Sequence, residues 1–188
     1  MSRGKRANNS RLMGMVDNRY QSDDVARLIR MLMKDGKASI ARKIVYKAMS
    51  DAASNMPKNI ELPEHNGQLE KELLVLRRVL EIIHPRVEVK SRRVGGANYQ
   101  VPQVVSRERG NTLARRWLVT SAKSRSEGKP MWHKLAQEMK QTLEGRSGAL
   151  SKKETQDKMA SANRANANLA RRDSSSKSDS VDKEKGAV

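Results

Sequence analysis

The stretch from Val87 to Val105, V-E-V-K-S-R-R-V-G-G-A-N-Y-Q-V-P-Q-V-V, decides the fold. Two runs of β-prone residues flank Gly95-Gly96, and adjacent glycines can adopt the positive φ values that a two-residue hairpin turn needs. With the glycines at the turn, Lys90 pairs with Val101. Pro102 cannot donate to a β-ladder, so its strand lies at an edge or in an isolated ribbon. The sequence predicts a lone two-stranded arm at about residues 87–105, because no other segment reads convincingly as a strand.

This register divides the side chains of the arm between two faces. One face is predicted to carry Val87, Val89, Pro102 and Val104. The other face is polar apart from Val101, and it carries Glu88, Lys90, Arg92, Tyr99 and Gln103. The arm is thus expected to have one apolar face and one basic, polar face.

Helical periodicity accounts for the body that holds the arm, because apolar residues recur at the spacing of one helix face. The six predicted helices run from near Ser22 to Asp35-Gly36, from about Ala38 to Ala53, from Leu69 to Ile83, from an N-cap at Asn111 to about Arg125, from Pro130 to Leu143, and from a Ser151–Glu154 capping box toward Leu169. The predicted fold class is mainly α, a six-helix bundle-like domain with one protruding two-stranded β-hairpin.

Composition divides the chain into three parts. Residues 1–20 have no periodicity and are expected to form a basic N-terminal arm. Residues 21–172 are expected to form the helical domain with its hairpin. Residues 173–188 are rich in Ser, Lys and Asp, and this composition is typical of a disordered tail.

The charge of the chain predicts a polyanionic partner. Lys and Arg number 39 against 21 Asp and Glu, which gives a formal charge of +18 and points to nucleic acid or an anionic membrane surface. No apolar run is long enough to span a bilayer. Cysteine is absent, which excludes disulfides and thiol catalysis. The three histidines form no recognisable metal spacing and there is no phosphate loop, so no enzyme activity, metal or cofactor is expected.

Two nucleic-acid classes fit these features from the residues alone. One is an RNA-binding protein that presents a basic face and an arm to folded RNA. The other is an architectural DNA-binding protein that places a basic β-arm in the minor groove. Such arms usually carry an apolar wedge at the tip, whereas this tip reads Gly-Gly-Ala-Asn, which favours RNA. A membrane-surface protein is a weaker third class, because the apolar helix faces are needed for the core.

Several motifs resemble one known family, the small-subunit ribosomal protein seven family in its bacterial or organellar form. The longest is V-E-V-K-S-R-R-V-G-G-A-N-Y-Q-V-P at Val87–Pro102. Others follow in the same order: L-M-K-D-G-K at Leu32–Lys37, I-V-Y-K-A at Ile44–Ala48, R-R-W-L at Arg115–Leu118, L-S-K-K-E at Leu150–Glu154 and M-A-S-A-N-R-A at Met159–Ala165. The resemblance covers about residues 11–172, and the loop at 54–67 is longer than is usual in the family.

The resemblance implies a structural protein of the head of the small ribosomal subunit without a catalytic role. It implies binding to the 3′ major domain of the small-subunit rRNA, nucleation of head assembly, and a hairpin near the exit-site tRNA and the mRNA path. The implied partners also include neighbouring head proteins and platform protein eleven, with the chain present as a monomer within the ribosome. The expected location is a bacterial cytoplasmic ribosome, with an organellar ribosome as the alternative.

Several basic residues of these motifs, two arginines that follow the hairpin and the cations of the N-terminal arm are the predicted rRNA contacts, since arginine can bind a phosphate through two hydrogen bonds. The predicted rRNA-binding residues are Arg3, Lys5, Arg6, Arg11, Lys34, Lys37, Lys90, Arg92, Arg93, Arg107, Arg109, Arg115, Arg116, Lys152 and Lys153. The predicted element facing tRNA or mRNA is the hairpin tip, comprising Val94, Gly95, Gly96, Ala97, Asn98 and Tyr99. Its glycines would allow close approach to a nucleotide backbone.

Overall fold

The computed structural model describes residues 16–57, 60, 63–64 and 67–168, and its elements follow the predicted order. The helices are α1 (Asp23–Leu32), α2 (Ala38–Ser54), α3 (Gln68–Ile83), α4 (Arg107–Ser124), α5 (Met131–Leu143) and α6 (Gly148–Ala162). Strands β1 (Val87–Val94) and β2 (Ala97–Val104) lie between α3 and α4, and a 3₁₀ turn (Arg164–Ala167) follows α6. The prediction of a mainly α domain with six helices and one hairpin is confirmed.

The hairpin has the predicted register but a different distribution of buried residues. Lys90 pairs with Val101 across the two antiparallel strands. Gly95 and Gly96 have φ values of 58° and 89°, as a type I′ turn requires. Val101 is 0% exposed and Val104 is 90% exposed, so the buried valine lies on the face predicted to be polar, and Val104 of the apolar face is open to solvent. Strand β1 contacts α6, and strand β2 contacts the 3₁₀ turn. Because these contacts cover parts of the hairpin, the burial of its side chains does not follow strand alternation alone.

The core lies around α5, which contacts α2, α3, α4 and α6. Leu135 and Met139 on α5 are fully buried among residues such as Val45 and Leu76. Burying an aliphatic or methionine side chain of this size stabilises the fold by about 1.5–3 kcal/mol. Methionine fits irregular gaps, which suits a chain that contains no phenylalanine.

Two helices begin one turn earlier than the sequence predicts, because a serine caps each of them. The side chain of Ser106 accepts a hydrogen bond from the backbone N of Arg109 at 3.4 Å, so α4 starts before Asn111. The side chain of Ser147 accepts from the backbone N of Leu150 at 3.0 Å, so α6 starts before Ser151. Both serines are good N-caps, and the predicted caps at Asn111 and Ser151 are wrong.

The residues just before α1 pack on the helical body, although the sequence assigns residues up to 20 to the arm. The carboxylate of Asp17 accepts from the backbone N of Tyr20 at 3.1 Å and from the hydroxyl of Tyr46 at 2.6 Å. The hydroxyl of Tyr20 donates to the buried carboxylate of Glu72. Burial, followed by this bond, raises the pKa of Tyr20. Residues 17–20 therefore belong structurally to the domain.

Candidate nucleic-acid interface

A basic groove of about 1100 Å³ lies between α3, the first turns of α4 and α6. Cations contributed by several elements line it, and we define these as the groove cations: Arg77, Arg78, Arg86, Arg107 and Lys153. The carboxylates that line it belong to Asp24 and Glu81, so its formal charge is positive. Since cations converge here from separate elements, a polyanion would meet several of them at once.

The helical pattern of α3 sets the direction of two of these arginines. Leu76 and Leu80 face the core, so Arg77 and Arg78 lie on the opposite, exposed side of the helix. Arg78 Nη1 forms an ion pair with Glu81 Oε2 at 2.7 Å. The pair is exposed, so it contributes little stability, and Arg78 can turn from Glu81 toward a phosphate at small cost.

Lys153 holds α6 against the end of α3. Its Nζ donates to the backbone carbonyl oxygen of Ile82 at 2.6 Å. This bond satisfies one carbonyl in the last turn of α3, and a cation is favoured there by the helix dipole. The ammonium still has two other N–H donors that can face an anion in the groove.

A glycine allows the end of α3 to approach α4 closely. A Cβ atom added at Gly110 would lie 2.2 Å from Nε2 of His84, a distance at which atoms clash. The same ring nitrogen lies 3.4 Å from the carbonyl oxygen of Arg107. The imidazole therefore occupies the space that a larger residue at 110 would need, and His84 helps to shape the groove wall.

The basic surface continues along the hairpin toward the end of the chain. A second groove, of about 700 Å³, shares Arg86 and Lys153 with the first and also includes Val104 and Arg164 in its lining. The two grooves therefore border each other at Arg86 and Lys153. A long nucleic-acid segment could follow this surface from α3 to the 3₁₀ turn.

A separate hairpin-base cluster joins β1 to α4. The carboxylate of Glu88 accepts hydrogen bonds from Nε and Nη2 of Arg109 at 3.1 and 2.6 Å. These bonds hold the pKa of Glu88 below its ordinary value, and the charges of Lys90 and Arg116 act in the same direction. Three cations thus surround one carboxylate, which leaves a net positive charge beside the arm.

The predicted site residues separate into several groups in the structure. Arg3, Lys5, Arg6 and Arg11 lie outside the described residues. Arg107 and Lys153 lie in the basic groove, while Lys90, Arg109 and Arg116 belong to the hairpin-base cluster. Arg92 and Arg93 lie on β1, Lys152 is half-buried on α6, and Lys34 and Lys37 line a different groove between α1 and α2.

Arg115 corrects one part of the predicted basic face. Its side chain is 1% exposed and Nη1 forms an ion pair with Oδ1 of Asp24. Burial lowers the pKa of the Arg115 guanidinium, although Asp24 opposes this effect. Its guanidinium is directed into the domain, where it links α4 to α1. Arg115 therefore holds the fold together and is not an accessible phosphate contact.

The groove also contains cations that the sequence prediction missed. Arg77, Arg78 and Arg86 line it but were not among the predicted contacts. The apolar repeat of α3 shows that Arg77 and Arg78 lie on a polar face, which is the available sequence signal. Their proximity to Arg107 and Lys153 depends on the packing of elements that are distant along the chain.

The hairpin tip is small and open. A Cβ added at Gly95 or Gly96 would meet no atom within 4 Å, although the positive φ values still favour glycine at both positions. Tyr99 is 39% exposed and is the aromatic side chain of this tip. The arrangement provides close backbone approach, and it lacks the large apolar wedge that kinks a DNA duplex.

Within the described ranges, no cluster of three or more carboxylate and histidine side chains could hold a metal ion. Among the helices of that part of the chain, none is both long enough and apolar enough to cross a membrane. The cations that line the basic groove can bind anions.

Comparisons with known proteins agree with one another. The family model described as ribosomal protein S7p/S5e matches residues 2–164. The small ribosomal subunit protein uS7 of Xylella fastidiosa strain 9a5c is 45% identical over 151 residues, which cover 80% of this chain and 88% of the relative. The protein of the same name from Xanthomonas oryzae pv. oryzae strain PXO99A is 43% identical, with the same coverage.

Proposed function

Because this chain belongs to the ribosomal protein S7 family, and is thus a non-enzymatic constituent of the small ribosomal subunit, we propose that its basic groove binds the 3′ major domain of the small-subunit rRNA. Binding there would nucleate assembly of the subunit head. The bacterial relatives support a bacterial cytoplasmic ribosome as the site of this function.

The observation that carries the proposal is the convergence of the groove cations. Arg77 and Arg78 come from α3, Arg86 from the start of the hairpin, Arg107 from α4 and Lys153 from α6. Arg77, Arg86 and Arg107 form no ion pair with a carboxylate of the described residues. Folded RNA presents phosphates on a curved backbone, and shape and phosphate contacts dominate the recognition of helical RNA. The groove and the hairpin-base cluster can contact such a backbone from two sides.

The hairpin supports a second part of the proposal, in which its tip faces the exit-site tRNA and the mRNA path. Paired strands carry the tip, and a Cβ added at either of its glycines would meet no atom within 4 Å. Gly95 and Gly96 would let a nucleotide backbone approach closely. In this arrangement the α6 end of the protein approaches platform protein eleven and neighbouring head proteins, and the protein acts as a monomer within the ribosome.

The terminal segments complete the proposal. Residues 1–15, with Arg3, Lys5, Arg6 and Arg11, would form an arm that orders on rRNA. The docking of Tyr20 on Glu72 fixes the point from which that arm starts. Residues 173–188 would remain a solvated tail.

A competition experiment tests the function against the alternative of architectural DNA binding. The purified chain is incubated with a labelled fragment of the 3′ major domain, and unlabelled rRNA fragment or duplex DNA of equal length is titrated in at moderate salt. We expect the rRNA fragment to compete at least tenfold better than the DNA. Equal or better competition by DNA would contradict the proposal.

A matched set of variants shows whether the groove is responsible. The groove variant combines Arg77→Gln, Arg86→Gln and Arg107→Gln and so removes three positive charges from the basic groove. The control variant removes three positive charges outside this groove, at Lys43, Lys129 and Lys140. The loss of a side chain that contacts a phosphate weakens binding by roughly the same amount for every RNA sequence. The groove variant should therefore bind rRNA much more weakly than the control variant. Similar affinities would show that net charge, and not the groove, determines binding.

A further inference from the structure

A third groove, of about 460 Å³, differs in chemistry from the basic groove and shares no lining residue with it. Its wall is mainly aliphatic and comes from the end of α1, the start of α2 and the start of α5. Ile40 is exposed over 54% of its surface, and it lies next to the buried Ala41, so the exposed aliphatic side chain forms part of an apolar patch with the other lining residues. We call this the aliphatic groove, and its apolar lining residues are Leu32, Met33, Ile40, Ala41, Ile44 and Met131.

Lysines form the rim of the aliphatic groove. Lys34 and Lys37 come from the loop between α1 and α2, and Lys123 comes from the last turn of α4. No carboxylate lines the groove among the described residues. The partner that complements this surface is therefore negatively charged at its edges and apolar at its centre.

The loop that carries two of these lysines is held in shape by its backbone. Asp35 and Gly36 have φ values of 50° and 70°, and the backbone N of Lys37 donates to the carbonyl oxygen of Lys34 at 2.9 Å. The backbone that carries Lys34 and Lys37 is therefore held in place before a partner binds, which reduces the entropy cost of ordering this loop.

We propose that the aliphatic groove binds an acidic amphipathic helical segment of another protein. Such a segment would place apolar residues at i, i+3 or i+4 and i+7 in the groove, and its Asp and Glu residues would face Lys34, Lys37 and Lys123. Met33 and Met131 can adapt to side chains of different shapes. This inference assigns Lys34 and Lys37, which the sequence predicts as rRNA contacts, to a protein partner instead. It does not rest on rRNA binding by the basic groove, and the two can fail separately.

Two other occupants fit the groove less well. A nucleic-acid base would need an aromatic or guanidinium surface for stacking, and the groove offers aliphatic side chains instead. The chain's own residues 1–15 include Leu12, Met13 and Met15, but they carry four cations, Arg3, Lys5, Arg6 and Arg11, and no acidic residue. The lysine rim would repel that segment.

Two synthetic peptides of identical composition test the proposal on the full chain. One peptide places leucine at i, i+3 and i+7 of a Glu- and Ala-rich helix, and the other has the same residues with that spacing scrambled. Fluorescence anisotropy at physiological salt measures their affinities. We expect the spaced peptide to bind at least tenfold more tightly than the scrambled one. Equal binding would show charge attraction alone and would overturn the proposal.

Variants then locate the binding surface. Ile40→Glu should weaken the spaced peptide at least tenfold, and the pair Lys34→Glu and Lys37→Glu should do so independently. Leu69→Glu is the matched control, because Leu69 is also exposed (45%) but lies on α3, outside the groove. Circular dichroism confirms that each variant is folded. Wild-type affinity in both groove variants would overturn the proposal.

The remaining occupants give distinct results. A chain without residues 1–15 that binds the peptide tenfold more tightly would assign the groove to that segment. Self-association that Ile40→Glu abolishes would assign it to a second copy. If the peptide fails to bind while Ile40→Glu weakens rRNA binding, the groove belongs to RNA. Each of these results would overturn the proposal.

Discussion

Replacing Glu138 should loosen the junction between α4, α5 and α6. Its side chain is 2% exposed and accepts hydrogen bonds at Oε2 from Nε and Nη2 of Arg125, at 2.9 and 2.6 Å. Its Oε1 accepts from the backbone N of Ala149 at 2.9 Å, in the first turn of α6. One carboxylate therefore neutralises a guanidinium after α4 and also binds an N–H group at the start of α6.

The structure sets the expected size of the effect. Removing one partner of a buried ion pair costs about 3–5 kcal/mol. The Arg125 side chain is 15% exposed and also contacts Glu127 and Gln141, so Glu138→Ala should cost less, about 2–3 kcal/mol by the same principle. Glu138→Gln keeps the side-chain volume and an acceptor for Ala149, but its NH2 group replaces the oxygen that accepts from Arg125, so we expect about 1–2 kcal/mol.

Urea denaturation, monitored by circular dichroism, measures the free energy of unfolding of each variant. With a slope of about 2 kcal/mol/M, the midpoint should fall by roughly 1–1.5 M for Glu138→Ala and by roughly 0.5–1 M for Glu138→Gln. Glu144→Ala is the control, because Glu144 pairs with the exposed Arg146 and its loss should cost less than about 1 kcal/mol. If Glu138→Ala and Glu144→Ala shift the midpoint equally, the proposed junction does not stabilise the fold.

Three other predictions concern the α4 arginines and the hairpin. Arg115→Met should lower the free energy of unfolding by about 1–3 kcal/mol and leave the salt dependence of rRNA binding almost unchanged. Arg116→Met, at the exposed neighbour, should leave stability almost unchanged and reduce the salt dependence of rRNA binding. Denaturation and filter binding measure both effects, and the opposite assignment of the two effects would contradict the prediction. Replacing residues 93–98 by Asn-Gly keeps a two-residue turn and should change stability by less than about 0.5 kcal/mol, while reconstituted small subunits bind exit-site tRNA more weakly; global unfolding would show that the tip is part of the core. Because Arg109 lowers the pKa of Glu88, their pair should contribute roughly 0.2–1 kcal/mol above the unfolded carboxyl pKa of about 4.3 and lose it as pH falls through the lower folded pKa. The stability difference between wild type and Glu88→Gln should therefore be present at pH 7 and absent in strong acid, and a difference that grows in acid would refute it.

The hairpin shows which features can be predicted from local sequence. The turn position and the register follow from two adjacent glycines with positive φ. The burial of Val101 and the exposure of Val104 could not be predicted, because alternation along a strand does not reveal which neighbouring element covers each residue. The same limit applies to Met159, which matches the spacing of a packed helix face but is 51% exposed on α6.

Adjacent arginines show a similar limit for the candidate site. Arg115 and Arg116 are chemically identical and are the first two residues of the R-R-W-L motif, yet Arg115 is buried and Arg116 is exposed. The difference arises because Asp24 on α1 faces Arg115, a contact between positions 91 residues apart. Local periodicity cannot supply such a contact.

The basic groove was predicted only in part for the same reason. Arg107 and Lys153 were predicted RNA contacts, but Arg77, Arg78 and Arg86 join them only after α3, α4 and α6 have packed. Residue types therefore indicated the class of partner, and the tertiary structure places its candidate binding surface. The position of Gly110 against His84 is another such feature, since an isolated glycine in a helix has many possible causes.

The salt dependence of rRNA binding tests the central claim most directly. For each of wild type, the groove variant and the matched variant at Lys43, Lys129 and Lys140, log affinity for the 3′ major domain fragment is plotted against log salt concentration. Each lost phosphate contact should reduce the slope by about 0.7–0.9. We expect the groove variant to lose roughly 2–3 units of slope and the matched variant to keep the wild-type slope. Equal slopes in the two variants would contradict rRNA binding through the basic groove.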